Sequence, residues 1–143
     1  MFNKTAAFHI TQDAVHLTCA KSRFSSVDFA AFDTEPCDGS DTASISAALI
    51  ALAGRNQLAG FRVVTSLPAH KSMVKEFTFP FTDRRKIDEV VLIEAEDAIP
   101  VALDELACSY QIMNKGPEGA TVLFAAAERD AVNAVLAAFD GAG

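Results

Sequence analysis

A chain of 143 residues, half of them hydrophobic and 22% charged, has the length of one folded domain or of two small subdomains sharing a core. Its net charge of −7, with only Arg84, Arg85 and Lys86 clustered, excludes a nucleic-acid backbone as partner, because that affinity comes from clustered cations releasing counterions. Cys19, Cys37 and Cys108 are an odd number with no CxxC spacing, which excludes a secreted disulfide framework and a structural zinc site and indicates a reducing cytosol.

The chain opens on MFNKTAAFHITQ, which lacks the apolar core of a signal peptide. Its longest purely apolar run, Ala47 to Ala53, is far short of the roughly 20 residues that cross a bilayer. A soluble protein is expected. Residues 6 to 19, AAFHITQDAVHLTC, read as two strands around a turn at Thr11, Gln12 and Asp13. Period-two alternation puts Phe8 and Ile10 on one face of the first strand, and Val15, Leu17 and Cys19 on one face of the second. A third strand from Phe24 to Phe32 completes an antiparallel meander, and PCDGSD after it is a loop.

Asp41 or Ser44 then caps a helix whose apolar positions Ile45, Ala48, Leu49 and Leu52 repeat at helical spacing, with Gly54 as its stop. FRVVTSLP, residues 61 to 68, reads as a continuous apolar strand buried on both sides and joined to the meander by a right-handed crossover. Residues 1 to 70 are therefore expected as one α/β subdomain. From residue 71 to 143 the rhythm changes to β-α-β-β-α: MVKEFTF, a helix over 83 to 98, LACSYQIM, a turn at NKGPEG, ATVLFAA and a closing helix ERDAVNAVLAAF. The last residues, FDGAG, read as a turn, as if the chain were cut from a longer one.

Catalytic chemistry finds little support. His9, His16 and Cys19 lie close in sequence, but His16 and Cys19 are three apart on a strand and point to opposite faces, so the trio does not make a metal site. A hydrolase would need a nucleophile beside a base and an oxyanion pocket, and there is no GxSxG and no cysteine in a glycine-rich turn. Cys108 alternates with Leu106 and Tyr110 as a buried thiol would. No glycine belongs to GxGxxG or GxxxxGK. No cofactor, no metal and no enzymatic activity are expected.

The helix from Asp83 is more informative. At about 100° per residue, Ile87, Val90, Val91 and Ala98 share the side that faces the sheet, with Glu94 among them. Glu94 then either takes a hydrogen bond from Tyr110 or a strand amide, or reaches water at the sheet's rim. On the opposite side Arg85, Glu89 and Glu96 flank Leu92 and Ile93, an apolar centre with a charged rim. That pattern fits either a protein-binding surface or a contact with the other half of the chain.

Leu67-Pro68, Pro80, the basic helix start Arg84 to Lys86, Glu94 and Glu96, Ile99-Pro100, Asp104-Glu105 and Tyr110-Gln111 form a pattern. It resembles the actin-like assembly proteins of bacterial type II secretion and type IV pilus machines, the GspL and PilM proteins. The similarity covers most of the chain and is most specific in its second half. It implies an α/β (α+β) fold, the N-terminal half of an actin-like (ribonuclease H-like) fold with an inserted β-α-β-β-α module. It implies a non-catalytic scaffold at the cytoplasmic face of the inner membrane, held there by a segment outside this chain. Its partners would be the secretion or pilus assembly ATPase, other inner-membrane platform proteins and a second copy of the same chain. Arg85, Glu89, Leu92, Ile93 and Glu96 are then the expected partner-binding residues. Nucleotide-binding members of the pilus branch carry Asp-x-Gly followed by serines on the first hairpin; here the matching positions hold His9, Thr11, Gln12 and Asp13. The acidic metal-orienting group and the permissive glycine are missing and Asp13 repels phosphate, which points away from ATP and toward the secretion branch.

Overall fold

The computed structural model describes residues 3 to 143. The chain divides into two compact units, one made of residues up to Pro68 together with Asn133–Gly143, the other of Ala69–Val132.

The first unit is a four-stranded sheet. β1 (Asn3–Ile10) pairs antiparallel with β2 (Ala14–Arg23), β2 pairs antiparallel with β3 (Ser26–Pro36), and β4 (Arg62–Ser66) runs parallel to β1, giving the order β3-β2-β1-β4. The alternation expected for the first hairpin is present: Phe8, Ile10, Val15, Leu17 and Cys19 are buried. They meet α1 (Thr42–Asn56) through Ile45, Ala48, Leu49 and Leu52, the four positions that the helical spacing marks. Asp41, rather than Ser44, is the cap, its carboxylate accepting from the amides of Ala43 and Ser44 at 3.3 and 2.9 Å. The Ser44 hydroxyl instead accepts from the amide of Asp38. The helix passes through Gly54 and stops at Gln57, which takes the left-handed conformation at φ 50°. Its last turn is tied to β3: Arg55 bridges Asp33 at 3.1 Å and Glu35 at 2.5 Å, and Asn56 donates to Asp33 at 2.7 Å. The Arg55 hydrogen bond, backed by that of Asn56, holds the Asp33 carboxyl down at about 2.

Three expectations for this half are corrected. β4 is not buried on both sides. It is the edge strand next to β1, with Val63 49% exposed and only Val64 half-buried, because the apolar run of FRVVTSLP has a neighbouring strand on one side only. Handedness apart, the crossover to a strand parallel with β1 is as expected. The third strand starts at Ser26, since Phe24 occupies the turn at φ 51°, and it runs on to Pro36. Finally, the closing helix α3 (Arg129–Ala142) begins in the second unit but gives its residues from Asn133 onward to the first. Ala138 is buried in the first core, Phe139 meets Phe8 edge-on with ring centroids 5.4 Å apart, and the Ser46 hydroxyl donates to the carbonyl of Ala138 at 2.8 Å.

A bulge shapes β3. Cys19 pairs with Ala31 but Ala20 pairs with Phe29, so Ala30 is the extra residue and Phe29 and Phe32 come to the same face instead of opposite ones. Their rings stack 5.7 Å apart, and they are 65% and 72% exposed.

The second unit is a three-stranded antiparallel sheet in the order β5-β7-β6, from β5 (Ser72–Phe79), β6 (Leu106–Gly116) and β7 (Gly119–Glu128). β7 is central, and every second residue from Ala120 through Val122 and Phe124 to Ala126 is buried. These side chains share a core with Phe79, Leu106 and the inner face of α2 (Arg84–Ala98). Among the described residues no helix is long and apolar enough to cross a membrane.

Candidate functional site

The segment FTFPFTDRRK sets the position of α2. β5 ends at Phe79, Pro80 has no amide to donate to a ladder, and Asp83 caps the helix, accepting from the amide of Arg85 at 2.9 Å. Ile87, Val91, Ala95 and the cap residue Ile99, spaced four apart, are buried on the sheet, with Val90 and Ala98 half-buried beside them. Glu94 is exposed. Of the two placements open to it, the rim is therefore the one adopted, and Tyr110 serves another residue: its hydroxyl donates to the carboxylate of Asp88.

That hydrogen bond joins the first turns of α2 to β6, and sequence reasoning missed it. The spacing of Tyr110 on a half-buried strand carried a signal, since a buried phenol needs a partner, but the partner lies 22 residues away. The bond to Asp88, with burial second, raises the Tyr110 hydroxyl above the ordinary tyrosine value. Its contribution to stability is therefore complete below the unfolded pKa of about 10 and is lost as pH rises through the folded value. Tyr110 is the only tyrosine and there is no tryptophan, so absorbance near 295 nm reads it alone. Asp88→Ala is expected to move its titration midpoint down toward the value of free tyrosine; an unmoved midpoint would mean that the contact does not form in solution.

Arg85, Glu89, Leu92, Ile93 and Glu96 are brought together on the outer side of α2, all of them exposed, Leu92 by 47% and Ile93 by 60%. The charges around them run against the helix's own dipole. The first turn holds Arg84, Arg85 and Lys86 and no acid, while the last turn holds Glu96 and Asp97 and no base. A helix dipole favours the reverse order. Leu92 and Ile93 are set among acids, Asp88 and Glu89 one turn before them and Glu96 and Asp97 one turn after, with the basic cluster a further turn toward the start of the helix.

The other candidate positions do not converge on a reaction centre. On β2 His16 is exposed and Cys19 buried, on opposite faces as expected. Burial raises the thiols of Cys19, Cys37 and Cys108, which makes each a poorer nucleophile. Among the described residues no group of three or more His, Cys, Asp or Glu is placed to hold a metal ion. The first hairpin turn is closed on itself and on the following loop. Thr11 donates its amide to the carbonyl of Ala14 at 2.9 Å and its hydroxyl to Asp13 at 2.8 Å, while the amides of Gly39 and Cys37 bond the carbonyls of Gln12 and Asp13. The Thr11 amide is thus already committed, and the Asp13 carboxylate puts a negative charge at the turn.

No protein-family model matches the sequence, and no curated protein matches it. Solved structures do match. The chain is similar to a chain of the PilM–PilN type IV pilus biogenesis complex, with a TM-score of 0.82 and 23% identity over 97% of this chain and 44% of that one. It is also similar to the cytoplasmic domain of EpsL, an inner-membrane component of the type II secretion system of Vibrio cholerae. There the TM-score is 0.60 and the identity 16%, over all of this chain and 54% of that one. The chain spans about half the length of the solved structures it matches. Two sheets, three helices and these superpositions identify the fold as the one that the GspL and PilM resemblance implies, the matched part of the actin-like PilM and EpsL cytoplasmic proteins.

Proposed function

We propose that this chain is a non-catalytic module of a bacterial type II secretion or type IV pilus inner-membrane platform. It would work at the cytoplasmic face and bind a further assembly protein through the outer side of α2. The observation that carries this reading is the pair of exposed aliphatic residues, Leu92 and Ile93, set within a charged rim on the outer side of α2. A small apolar centre with a polar rim is the usual make-up of a transient protein interface. The shared fold supports the choice of machine, since both solved relatives belong to such systems.

The assembly ATPase is the favoured partner. A PilN-type platform protein is the second candidate, because the pilus relative is solved in a complex with PilN. A second copy of the chain is the third. Leu92→Ser combined with Ile93→Ser is expected to reduce pull-down of the cognate ATPase severalfold and to leave the circular dichroism melt in place, because exposed substitutions away from a packed core usually change stability by no more than about 0.5 kcal/mol. Loss of the melt would make these residues core and remove the reading.

A second reading, nucleotide binding by an actin-like pilus protein, is favoured by the closer superposition on the pilus structure. It meets the occupied turn at Thr11 and the charge of Asp13. Calorimetric titration of ATP with magnesium into the longest soluble form of the protein separates the two readings: saturable micromolar binding supports the second, and its absence supports the first.

A further inference from the structure

One row of side chains on the exposed side of the first sheet is assembled by strand register alone. Thr34, His16, His9 and Ser66 stand next to one another across β3, β2, β1 and β4. His16 Nδ1 lies 3.0 Å from the Thr34 hydroxyl and His9 Nδ1 lies 3.2 Å from the Ser66 hydroxyl. The two rings are 6.2 Å apart between centroids and inclined by only 26°. Each hydroxyl is on the strand beyond its histidine, away from the other ring. Each imidazole is therefore held at its outer nitrogen, Nδ1, which leaves its Nε2 as the atom to bind a ligand.

We propose that His9 and His16 form a two-imidazole chelate for a divalent late transition-metal ion of the Ni²⁺, Cu²⁺ and Zn²⁺ class. Imidazole nitrogen is a preferred ligand for these ions, whereas Mg²⁺ and Ca²⁺ require oxygen donors, and no carboxylate belongs to this row. Histidines that ligate metals as a rule have their second ring nitrogen fixed by a hydrogen bond, which sets ring orientation and tautomer; here both are fixed, each by its own hydroxyl. Cys19 takes no part, because it is buried on the other face. The remaining coordination positions face solvent and belong to water or to a ligand from another molecule. The site is independent of the role proposed for α2.

Calorimetric titration of Ni²⁺ into the chain, carrying no polyhistidine tag, tests the assignment. One ion per chain is expected, and His9→Ala or His16→Ala alone should weaken binding about tenfold or more, because a chelate is reduced to a single ligand. Ser66→Ala and Thr34→Ala should weaken it about tenfold through loss of ring orientation. His70→Ala should change nothing. Ni²⁺ should also raise the melting temperature of the unaltered chain and not that of the double histidine variant, since an ion held only by the folded state stabilises it. All the substituted positions are exposed, so a melt without metal that matches the original confirms that each variant folds. Binding that survives both histidine substitutions, falls equally with His70→Ala, or shows thiolate-to-metal charge transfer when Co²⁺ is used in place of Ni²⁺ overturns the proposal.

Discussion

Phe124→Ala is expected to destabilise the second unit by about 3–5 kcal/mol, which is a large share of the roughly 5–15 kcal/mol that holds an ordinary domain together. Phe124 is buried in the middle of the central strand β7, among the bulkiest side chains fully removed from water, and its ring lies 5.9 Å from that of Phe77. It shares its core with Ile87, Val91 and Ala95, the residues that seat α2. Truncating it opens a void beneath the helix, and the neighbours relax only in part. Urea denaturation followed by the fluorescence of Tyr110 reports on this unit specifically, because the chain's one tyrosine lies on β6 and there is no tryptophan to mask it. A loss below about 1 kcal/mol would contradict the packing described. The same substitution should also weaken partner binding, but with a shifted melt, and that combination distinguishes damage to the seat of α2 from damage to its outer face.

Gly119→Val is expected to be nearly as severe, for a different reason. Gly119 opens β7 at φ 133°, a conformation that side-chain-bearing residues rarely adopt, and a Cβ there would overlap the carbonyl oxygen of Phe79 and press on the Cα of Pro80. Strained backbone alone costs roughly 1–3 kcal/mol, and the overlap adds to it because β5 would have to move away from β7 at the point where Phe79 pairs with Ala120. This is also where the chain turns toward the cap of α2. Gly60 is the control: it too has positive φ, 78°, but nothing lies within 4 Å of where its Cβ would stand. Gly60→Val should therefore bring backbone strain without overlap, and denaturation should rank it clearly milder than Gly119→Val. Equal losses would mean that the close approach of β5 to Gly119 does not exist.

What the sequence made legible is what depends on local periodicity. The hairpin alternation of Phe8, Ile10, Val15, Leu17 and Cys19, the four inner positions of α1 and the β-α-β-β order of the second unit all follow from side-chain repeats of two and 3.6 residues. What it hid is what depends on which element lies next to which. An apolar run such as FRVVTSLP does not say whether its strand has one neighbour or two, so the edge position of β4 is not legible in it. The amphipathic pattern of α3 shows that the helix has a face to bury but not which sheet receives it, and the structure takes Ala138 into the first core. Glu94 lies within α2's apolar side by angle alone, and its exposure was decided by how the helix rests on the sheet. The bulge that brings Phe29 and Phe32 together inverts the usual alternation and leaves no local mark in the sequence. The row from Thr34 to Ser66 is of the same kind, since four residues spread over 57 positions meet only through register.

The five residues on the outer side of α2 were legible because a helix with apolar residues on two sides is unusual wherever it is found. Their use is a separate matter from their placement, and photo-crosslinking reads it directly. With a benzoylphenylalanine at Ile93 in cells that assemble the cognate secretion or pilus machine, irradiation is expected to trap the assembly ATPase or a platform protein on this chain, and the same probe at the exposed Phe29 should trap neither. Trapping from the Phe29 position with none from Ile93 would place the interface on β3 and contradict the role assigned to α2.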